Sequence, residues 1–383
     1  MADKIIRRHV FYVPGFDPRG ARLYHGMYSE HAKKQSAING LDLSVSPRRK
    51  ISDISHIWHV TGNRTTTEFE YLSWSDIVRQ HWKNGVAALL ADSWLCFRSG
   101  LINGVIFRFL RVRKSLFRLA VLYPFLYLPL AFFLAIWIGN SLIDTKAQGG
   151  DFAFSALIAA GASLLFLWAG LKLGHKIAIF WLLRIFCFSI RWSQGKAADL
   201  EDRINAFSAR LREEILTNRA DEIMVVGHSA GAMLAVPVIA RALKSLPADT
   251  PAQQIAFLTL SNCIPMISFM PWAEAYRKEL AEVANDPRVI WIDYSAPPDG
   301  ASFSQIDPVI ASGCDAPAGP HMLSPRFHRL YEEKKYRRLK YNWFKLHFLY
   351  LQSSDKKGAY DYFDLTAGPT PFAARFATEG PHE

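Results

Sequence analysis

Cysteine is scarce in this chain of 383 residues, and the few cysteines are not grouped. The four residues, Cys96, Cys187, Cys263 and Cys314, are widely scattered and form no C-x-x-C pair. Disulfide frameworks and thiol redox motifs depend on close or regular cysteine spacing, which is missing here. We therefore expect four reduced thiols with structural roles in a protein that faces the cytosol.

The opening stretch MADKIIRRHVFYVPGF has no sustained apolar run before Pro14, so we do not expect it to act as a secretory signal. We also recognise no eukaryotic targeting signal in the sequence, and we therefore expect a bacterial inner-membrane protein. Disorder is excluded, since 50% of the residues are hydrophobic and 13% are aromatic. The length exceeds that of a usual single domain and predicts one large domain with an insertion, or two domains.

Charged residues are absent from two long stretches in the middle of the chain, 119–138 and 152–171. At 1.5 Å per residue, each is long enough to cross a hydrocarbon core about 30 Å thick. We predict two transmembrane helices joined by a short polar loop, within a membrane insertion over 99–195. Residues 177–192 are apolar but shorter and carry Arg184, which predicts an interfacial helix rather than a third span.

Acidic residues are missing from both flanks of this hairpin, although the flanks are rich in Lys and Arg. The positive-inside rule places both flanks, and with them the rest of the chain, in the cytoplasm. The same residues account for much of the net charge of +11, so we expect membrane lipids as partners and no nucleic acid. The basic residues are Arg108, Arg111, Arg113, Lys114 and Arg118 before the hairpin, and Lys172, Lys176, Arg184, Arg191 and Lys196 after it.

Strand and helix patterns alternate on both sides of the insertion. This alternation predicts an α/β fold with a mostly parallel sheet flanked by helices. Residues 1–98 and 196–366 are then two parts of one domain, interrupted by the membrane helices, and 367–383 form a flexible tail. In such a sheet the active site lies at the carboxyl ends of the strands.

The stretch MVVGHSAGAM places Ser229 in a G-x-S-x-G pattern between a buried strand and a helix. A serine on such a sharp turn exposes its Oγ, and the small flanking residues prevent side-chain clashes. The backbone N–H of Ala230 would face a developing oxyanion at the start of the helix. We therefore predict that Ser229 is a catalytic nucleophile and that Ala230 contributes to an oxyanion hole.

These residues resemble the α/β-hydrolase superfamily of serine esterases and lipases. The matching segments are 227–231, after the strand EIMVV, and 13–16, after the first strand; the resemblance covers about 5–98 and 196–365. It implies that a second oxyanion N–H comes from Phe16, or from Asp17 beside it. The transmembrane hairpin departs from the family pattern and makes the substrate entrance unpredictable from it.

The family order of the triad is Ser, then an acid, then His, so the acid should follow Ser229. Asp299 is favoured because it follows a predicted strand in a Pro-Pro-Asp-Gly loop, where the family has its acid. Asp293, within the strand, and Asp307, before Pro308, are the alternatives. A turn-forming role for Asp299 remains open.

Three histidines follow the acid, and we favour His347 as the base. It lies among apolar and aromatic residues in WFKLHFLYLQ, as the family histidine often does near the last helix. His321, in a Gly/Pro-rich loop, and His328, beside basic residues, are the alternatives. A core histidine whose ring N–H is satisfied by backbone is the structural alternative for His347.

The remaining histidines and arginines near the motifs predict little further chemistry. His56 and His59 face opposite sides of a strand, so we predict no metal site. We also predict no cofactor. His228 is expected to support the turn or line the pocket, while Arg19 and Arg22 either contact an anionic headgroup or are solvated surface residues.

The combined prediction is a membrane-anchored serine hydrolase with a cytoplasmic catalytic domain. It would cleave carboxylic esters, including lipid esters, through an acyl-enzyme formed by Ser229, His347 and Asp299. One alternative is an acyltransferase or thioesterase that forms the same acyl-enzyme. The other is a non-catalytic membrane scaffold with a hydrolase fold.

Overall fold

A computed structural model describes residues 6–82, 85–111, 115–146, 152–250, 253–316 and 319–376. The chain divides into two compact units. The first unit combines Met1–Trp82 with Arg191–Glu383, and the second comprises Lys83–Ile190.

A nine-stranded mixed sheet forms the centre of the first unit. Its strands are β1 (Ile6–Val13), β2 (Ser44–Val45), β3 (Arg49–Lys50), β4 (Ser55–Thr61), β5 (Thr65–Leu72), β6 (Glu222–His228), β7 (Ile255–Leu260), β8 (Val289–Tyr294) and β9 (His321–Leu323). The order is β2-β4-β5-β1-β6-β7-β8-β9, and β3 also pairs with β4. The predicted α/β class is confirmed.

The sheet is mixed: among the described strands, five pairings are parallel and three are antiparallel. Neighbouring strands from β5 to β9 along this order are parallel, whereas β4 is antiparallel to β5, β2 and β3. The connection 62–64 between β4 and β5 is a turn in which the Gly62 N–H donates to the Thr65 carbonyl at 2.9 Å. A turn this short permits only an antiparallel pair, because a parallel pair needs a long crossover.

Helices cover the sheet and form the second unit. They are α1 (Ala21–Asn39), α2 (Ser75–His81), α3 (Val86–Phe97), a π-helix (Arg98–Ile102), α4 (Val105–Arg111), α5 (Ser115–Lys146), α6 (Phe152–Lys176), α7 (Ile179–Ser193), α8 (Ala198–Thr217), α9 (Ala230–Lys244), α10 (Pro265–Ser268), α11 (Glu274–Asn285), α12 (Pro308–Ala311), α13 (Phe327–Leu330), α14 (Glu333–Leu339), α15 (Trp343–His347), a 3₁₀-helix (Leu349–Leu351), α16 (Tyr362–Ala367) and α17 (Phe372–Phe376).

The two faces of β1 show how the strand pattern positions the core. Val10 and Tyr12 lie in an apolar cluster with Tyr24 and Tyr28 of α1. Side chains alternate along a strand, so His9 projects to the other face, where it contacts Glu214 of α8. The parallel strands β6 and β7 are buried along nearly their whole length, as is usual for a sheet covered on both faces.

Among the described residues, one unbroken helix, in the second unit, is long and apolar enough to cross a membrane. It covers Ala156–Lys176 within α6, and only 6% of its apolar window is buried. The predicted first span, 119–138, lies within α5, but many of its side chains lie outside the described part. Among the described residues of α5, the apolar stretch Pro129–Ile143 is shorter than a membrane crossing. The Tyr127 hydroxyl donates to the Gly170 carbonyl, so α5 and α6 contact each other.

Candidate active site

Ser229 lies between β6, which ends at His228, and α9, which begins at Ala230. Its φ is 57° and its ψ is −125°, a backbone conformation that costs a non-glycine residue about 1–3 kcal/mol. The Ser229 N–H donates to the Leu260 carbonyl at 2.9 Å, which holds this turn against the end of β7. Ser229 therefore lies on a strained turn between a strand and a helix, where its predicted role as a nucleophile stays a prediction.

Close packing explains the two glycines of the G-x-S-x-G pattern. A Cβ on Gly227 would lie 2.6 Å from the Ala232 Cα, and one on Gly231 would lie 2.0 Å from the Val13 carbonyl oxygen. Real Cβ atoms do not approach backbone atoms this closely. Both positions therefore require glycine because α9 starts directly against β6 and the end of β1.

The loop that follows β1 lies directly beside the nucleophile. A Cβ on Gly15 would be 3.0 Å from the Ser229 Cβ and 3.4 Å from its Oγ. The next residue, Phe16, is buried and packs edge-on against Trp74, whose Nε1–H donates to the Pro14 carbonyl at 2.9 Å. This loop and the first turn of α9 flank the serine. The Ala230 N–H lies in that first turn, where the backbone N–H groups of a helix find no carbonyl acceptor within the helix itself.

Asp17, the predicted alternative to Phe16, has a different environment. Its buried carboxylate accepts hydrogen bonds from Arg19 Nε at 2.8 Å and Nη2 at 2.7 Å, and from the Tyr24 hydroxyl at 3.0 Å. The Arg19 guanidinium also lies 5.2 Å from the centroid of the Phe348 ring. Asp17 therefore fixes the loop after β1 through an ion pair and a hydrogen bond.

His347 and Asp299 are hydrogen-bonded to each other. The His347 Nδ1 lies 3.1 Å from Asp299 Oδ2 and 3.2 Å from Oδ1, and both side chains are buried. Burial alone would raise the pKa of Asp299, but the charge and hydrogen bond of His347 and the Ser261 hydroxyl hold this pKa below its usual range. The carboxylate therefore stays ionised and orients the imidazole through Nδ1.

Ser261 belongs to the same cluster, although the sequence analysis did not identify it. It directly follows β7 with a φ of 53°, and its Oγ donates to Asp299 Oδ2 and lies 2.8 Å from His347 Nδ1. A serine at the carboxyl end of a buried predicted strand, IAFLTLS, was the available signal. The order of the strands, which the sequence pattern does not contain, brings it next to the pair.

Two neighbours link this pair to the elbow. The His228 Nε2 lies 3.0 Å from the His347 carbonyl, and the two rings are 5.0 Å apart. Burial lowers the pKa of His228 to about 3, so the ring is neutral. Ser229 Oγ lies 3.6 Å from Cys263 Sγ, its hydrogen-bonding contact among the described residues. Burial raises the pKa of the Cys263 thiol to about 12, so no thiolate competes with the serine.

The alternative acids and bases lie in other environments. Asp293 is fully buried and accepts hydrogen bonds from Thr259 Oγ1 and Asn262 Nδ2, each at 2.7 Å, and burial raises its pKa to about 6. Asp307 caps the N-terminus of α12 by accepting from the Val309 N–H at 2.8 Å. The two other histidines are His321, within β9, and His328, which is exposed on α13.

A cluster of one histidine and several acidic residues lies within the first unit, away from the strand ends. In the part of the chain that the structure describes, His9, Glu68 and Glu70 place possible metal-ligand atoms within 4.8 Å of one another. The His9 ring contacts Glu70 at 3.0 Å through Nε2 and Glu214 at 3.3 Å through Nδ1. Arg210 also contacts Glu70, at 3.1 Å. These ion pairs engage the ligand atoms, so the cluster is an internal charge network.

No protein-family model, curated protein or solved structure matches the chain. A functional assignment therefore depends on the chemistry of the site. The geometry combines a strained serine, a flanking loop and a buried carboxylate–imidazole pair, which are the components of nucleophilic catalysis.

Proposed function

We propose that the protein is a serine hydrolase that cleaves carboxylic esters, with an α/β-hydrolase-like catalytic domain. The observation that carries the proposal is the buried Asp299–His347 pair next to the strained elbow of Ser229. A serine hydroxyl is a weak nucleophile unless a base is oriented beside it. The pair supplies such a base, and the elbow supplies the serine.

The arrangement of strands supports the same proposal. Ser229 directly follows β6 and Asp299 lies in the loop after β8, so both lie beyond the carboxyl ends of parallel strands. His347, the last residue of α15, joins them through its hydrogen bond to Asp299. Their order along the chain is the order of the family triad. Ligands of open α/β sheets bind at these strand ends.

In the proposed reaction, Ser229 Oγ attacks the ester carbonyl while His347 takes its proton. Asp299 orients the ring through Nδ1 and stabilises the imidazolium that forms. The backbone N–H groups of Ala230 and Phe16 bind the oxyanion. The tetrahedral intermediate expels the alcohol, which receives the proton from His347. Water then attacks the acyl-enzyme while His347 takes its proton, and the acid is released as this proton returns to Ser229 Oγ.

A membrane location supports lipid esters as the substrate class. The exposed apolar helix Ala156–Lys176 would anchor the chain, and a second crossing over 119–138 would complete the proposed hairpin. The basic flanks support a catalytic domain on the cytoplasmic side, and we place the protein at the inner membrane of a bacterium as part of the proposal. Anchorage of this kind keeps an ester-cleaving site close to a lipid surface.

The test is labelling by a fluorescent fluorophosphonate, which reacts with activated serines. We expect the wild-type protein to be labelled and both Ser229→Ala and His347→Ala to lose the label. The matched controls are Ser208→Ala, at a buried serine of α8, and His328→Ala, at an exposed histidine, and both should label normally. A folded wild-type protein that takes no label would contradict the hydrolase and favour the scaffold.

A second measurement separates hydrolysis from the acyltransferase and thioesterase alternatives. All three share the acyl-enzyme and the fluorophosphonate label, but they differ in the acyl group donor or acceptor. Incubation with matched oxygen esters and thioesters, with and without added alcohols, shows which product forms. Release of free acid from the oxygen ester as the main product supports the proposed esterase.

A further inference from the structure

The segment 326–345, which we call the basic arm, lies between β9 and the end of α15. It contains eight Lys and Arg residues against two Glu residues, a net charge of +6, whereas the whole chain carries +11. More than half of the net positive charge is therefore concentrated in 20 residues directly before His347. The basic residues are Arg326, Arg329, Lys334, Lys335, Arg337, Arg338, Lys340 and Lys345.

The basic arm is fixed at its beginning and end and exposed in between. Phe327 and Leu330 of α13 are buried at one end, and Leu346 of α15 is buried at the other. Helix α14 between them has no buried residue. Two of its basic residues contact acidic side chains, Lys335 with Asp355 at 2.6 Å and Arg337 with Glu333 at 3.7 Å, and such surface pairs leave most of the positive charge of the arm in place. The arm thus presents a positive surface to solvent.

An exposed aromatic residue lies at the turn between α14 and α15. The Tyr341 side chain is 81% exposed, and Lys340 Nζ lies 4.9 Å from the centroid of its ring. Tyrosine is enriched at membrane–water interfaces, where its ring lies at headgroup level. Lysine and arginine bind anionic headgroups while their aliphatic stems cover apolar surface.

We propose that the basic arm docks onto an anionic phospholipid surface, with Tyr341 at the level of the headgroups. A bilayer is favoured over nucleic acid because the same chain carries the exposed apolar helix Ala156–Lys176. Because the arm leads directly to His347, docking would also hold the base next to the lipid surface. That last consequence rests on the proposed function, whereas the docking itself does not.

The test uses the full-length protein in lipid nanodiscs of phosphatidylcholine, with or without roughly a third phosphatidylglycerol. An environment-sensitive bimane dye is attached to Tyr341→Cys after Cys314, the partly exposed cysteine, is changed to serine. We expect a blue shift and quenching by spin-labelled lipid only in anionic discs, both reversed by about 0.5 M salt. Arg337→Glu with Arg338→Glu should reduce the docked fraction at least about tenfold, since each basic residue contributes about fivefold.

The matched control reverses two exposed lysines of α1, Lys33 and Lys34, and should leave the docked fraction unchanged. Equal signals in neutral and anionic discs, or equal losses in both double variants, would overturn the docking proposal. So would tighter salt-dependent binding of a single-stranded RNA that the variant in the arm abolishes. Fluorophosphonate labelling is measured separately, so a failed hydrolase and a failed docking surface give different results.

An independent observation, the contacts of Ser261, supports a second inference. The Ser261 hydroxyl donates its proton to Asp299, so only an oxygen lone pair remains to face His347 Nδ1 at 2.8 Å. The Nδ1–H of the base therefore has two acceptors, the carboxylate and the hydroxyl. We infer that Ser261 is a positioning residue, which fixes the rotation of both side chains in the proposed triad.

The test compares Ser261→Ala and Ser261→Gly with the control Ser208→Ala. Both variants at 261 remove the hydroxyl, but glycine adopts the positive φ of this position without strain. We expect kcat to fall about 10- to 100-fold in both, with KM changed less than about twofold. The His347 Nδ1–H resonance should shift in both variants even if the wild type hydrolyses no ester.

Two results would contradict the positioning role. The first is full kcat in Ser261→Gly with loss only in Ser261→Ala, which would assign the effect to backbone strain. The second is an unchanged His347 Nδ1–H resonance in both variants. A wild-type protein without activity but with the expected shift would instead contradict the proposed function alone.

Discussion

His9 and His347 are both buried beside the same sheet, yet their surroundings differ. His9 lies within β1, and both of its ring nitrogens face carboxylates, Glu70 at 3.0 Å and Glu214 at 3.3 Å. His347 lies beyond the strand ends, and its side-chain hydrogen bonds to Asp299 use Nδ1 alone. Among the described residues, carboxylates therefore contact both ring nitrogens of His9 but only the Nδ1 of His347.

This difference separates a structural histidine from one suited to proton transfer. A ring with both nitrogens in contact with carboxylates has neither nitrogen turned toward a substrate. A ring oriented through Nδ1 can present Nε2 as a base. Burial of a histidine next to a carboxylate is therefore a weak sign of catalysis unless the second nitrogen is considered.

The largest expected effect comes from removing the charge beside His347. Asp299→Asn keeps the size of the side chain but replaces an acceptor with an amide that can hold the wrong tautomer of the ring. We expect the rate of fluorophosphonate labelling to fall about 10³- to 10⁴-fold. The matched control is Asp293→Asn, at an equally buried carboxyl group that contacts Thr259 and Asn262. Equal losses in both variants would contradict a special role for Asp299.

How well the sequence predicts each part of this site depends on how far apart along the chain the contacting residues lie. The turn at Ser229 was predictable because its strand, turn and helix are consecutive in the chain and Gly227 packs against nearby Ala232. The close contact of Gly231 with Val13, by contrast, depends on the distant strand β1. Asp299 and His347 were favoured from their order along the chain. Ser261 and Cys263 were not found because they approach the site only through the pairing of β6 with β7.

Strand direction shows the same limit for the fold. The alternation of strands and helices predicted the α/β class, and β4 and β5 were both expected as strands. Their antiparallel pairing depends on the short turn at Gly62, which alternation alone does not reveal. The predicted membrane hairpin was an inference from composition, and Ala156–Lys176 is the one unbroken helix among the described residues that is long and apolar enough to cross.

The second prediction concerns His9, whose two ring nitrogens both contact carboxylates. His9→Leu removes the imidazole between Glu70 and Glu214 and leaves buried negative charge with fewer partners. We expect a loss of about 3 kcal/mol in the free energy of unfolding, with an unchanged labelling rate for each folded molecule. Denaturant unfolding measures the first quantity and fluorophosphonate labelling of the native fraction measures the second. A labelling rate that falls in parallel with His347→Ala would remove the distinction between the two histidines.

The smallest effect is the pH dependence of the contribution of His9 to stability. Burial alone would lower its pKa, but hydrogen bonds to Glu214 and Glu70 outweigh burial and raise this pKa above 6.5. A raised pKa stabilises the fold fully below the unfolded value of 6.5, and this contribution is lost as pH rises through the folded pKa. The carboxylate of Glu70 has a lowered pKa, so its contribution is present above 4.5 and is lost as pH falls further.

The difference in thermal midpoint between wild type and His9→Leu should therefore be largest between pH 4.5 and 6.5 and shrink as pH rises above that range. Scanning calorimetry or fluorescence melts across pH 5 to 9 measure it at about one-unit steps. A difference that stays constant through this range would mean that His9 contributes by packing alone, through its stacking on Phe11 at 4.2 Å. The contrast with His347 would then rest on position in the sheet rather than on charge.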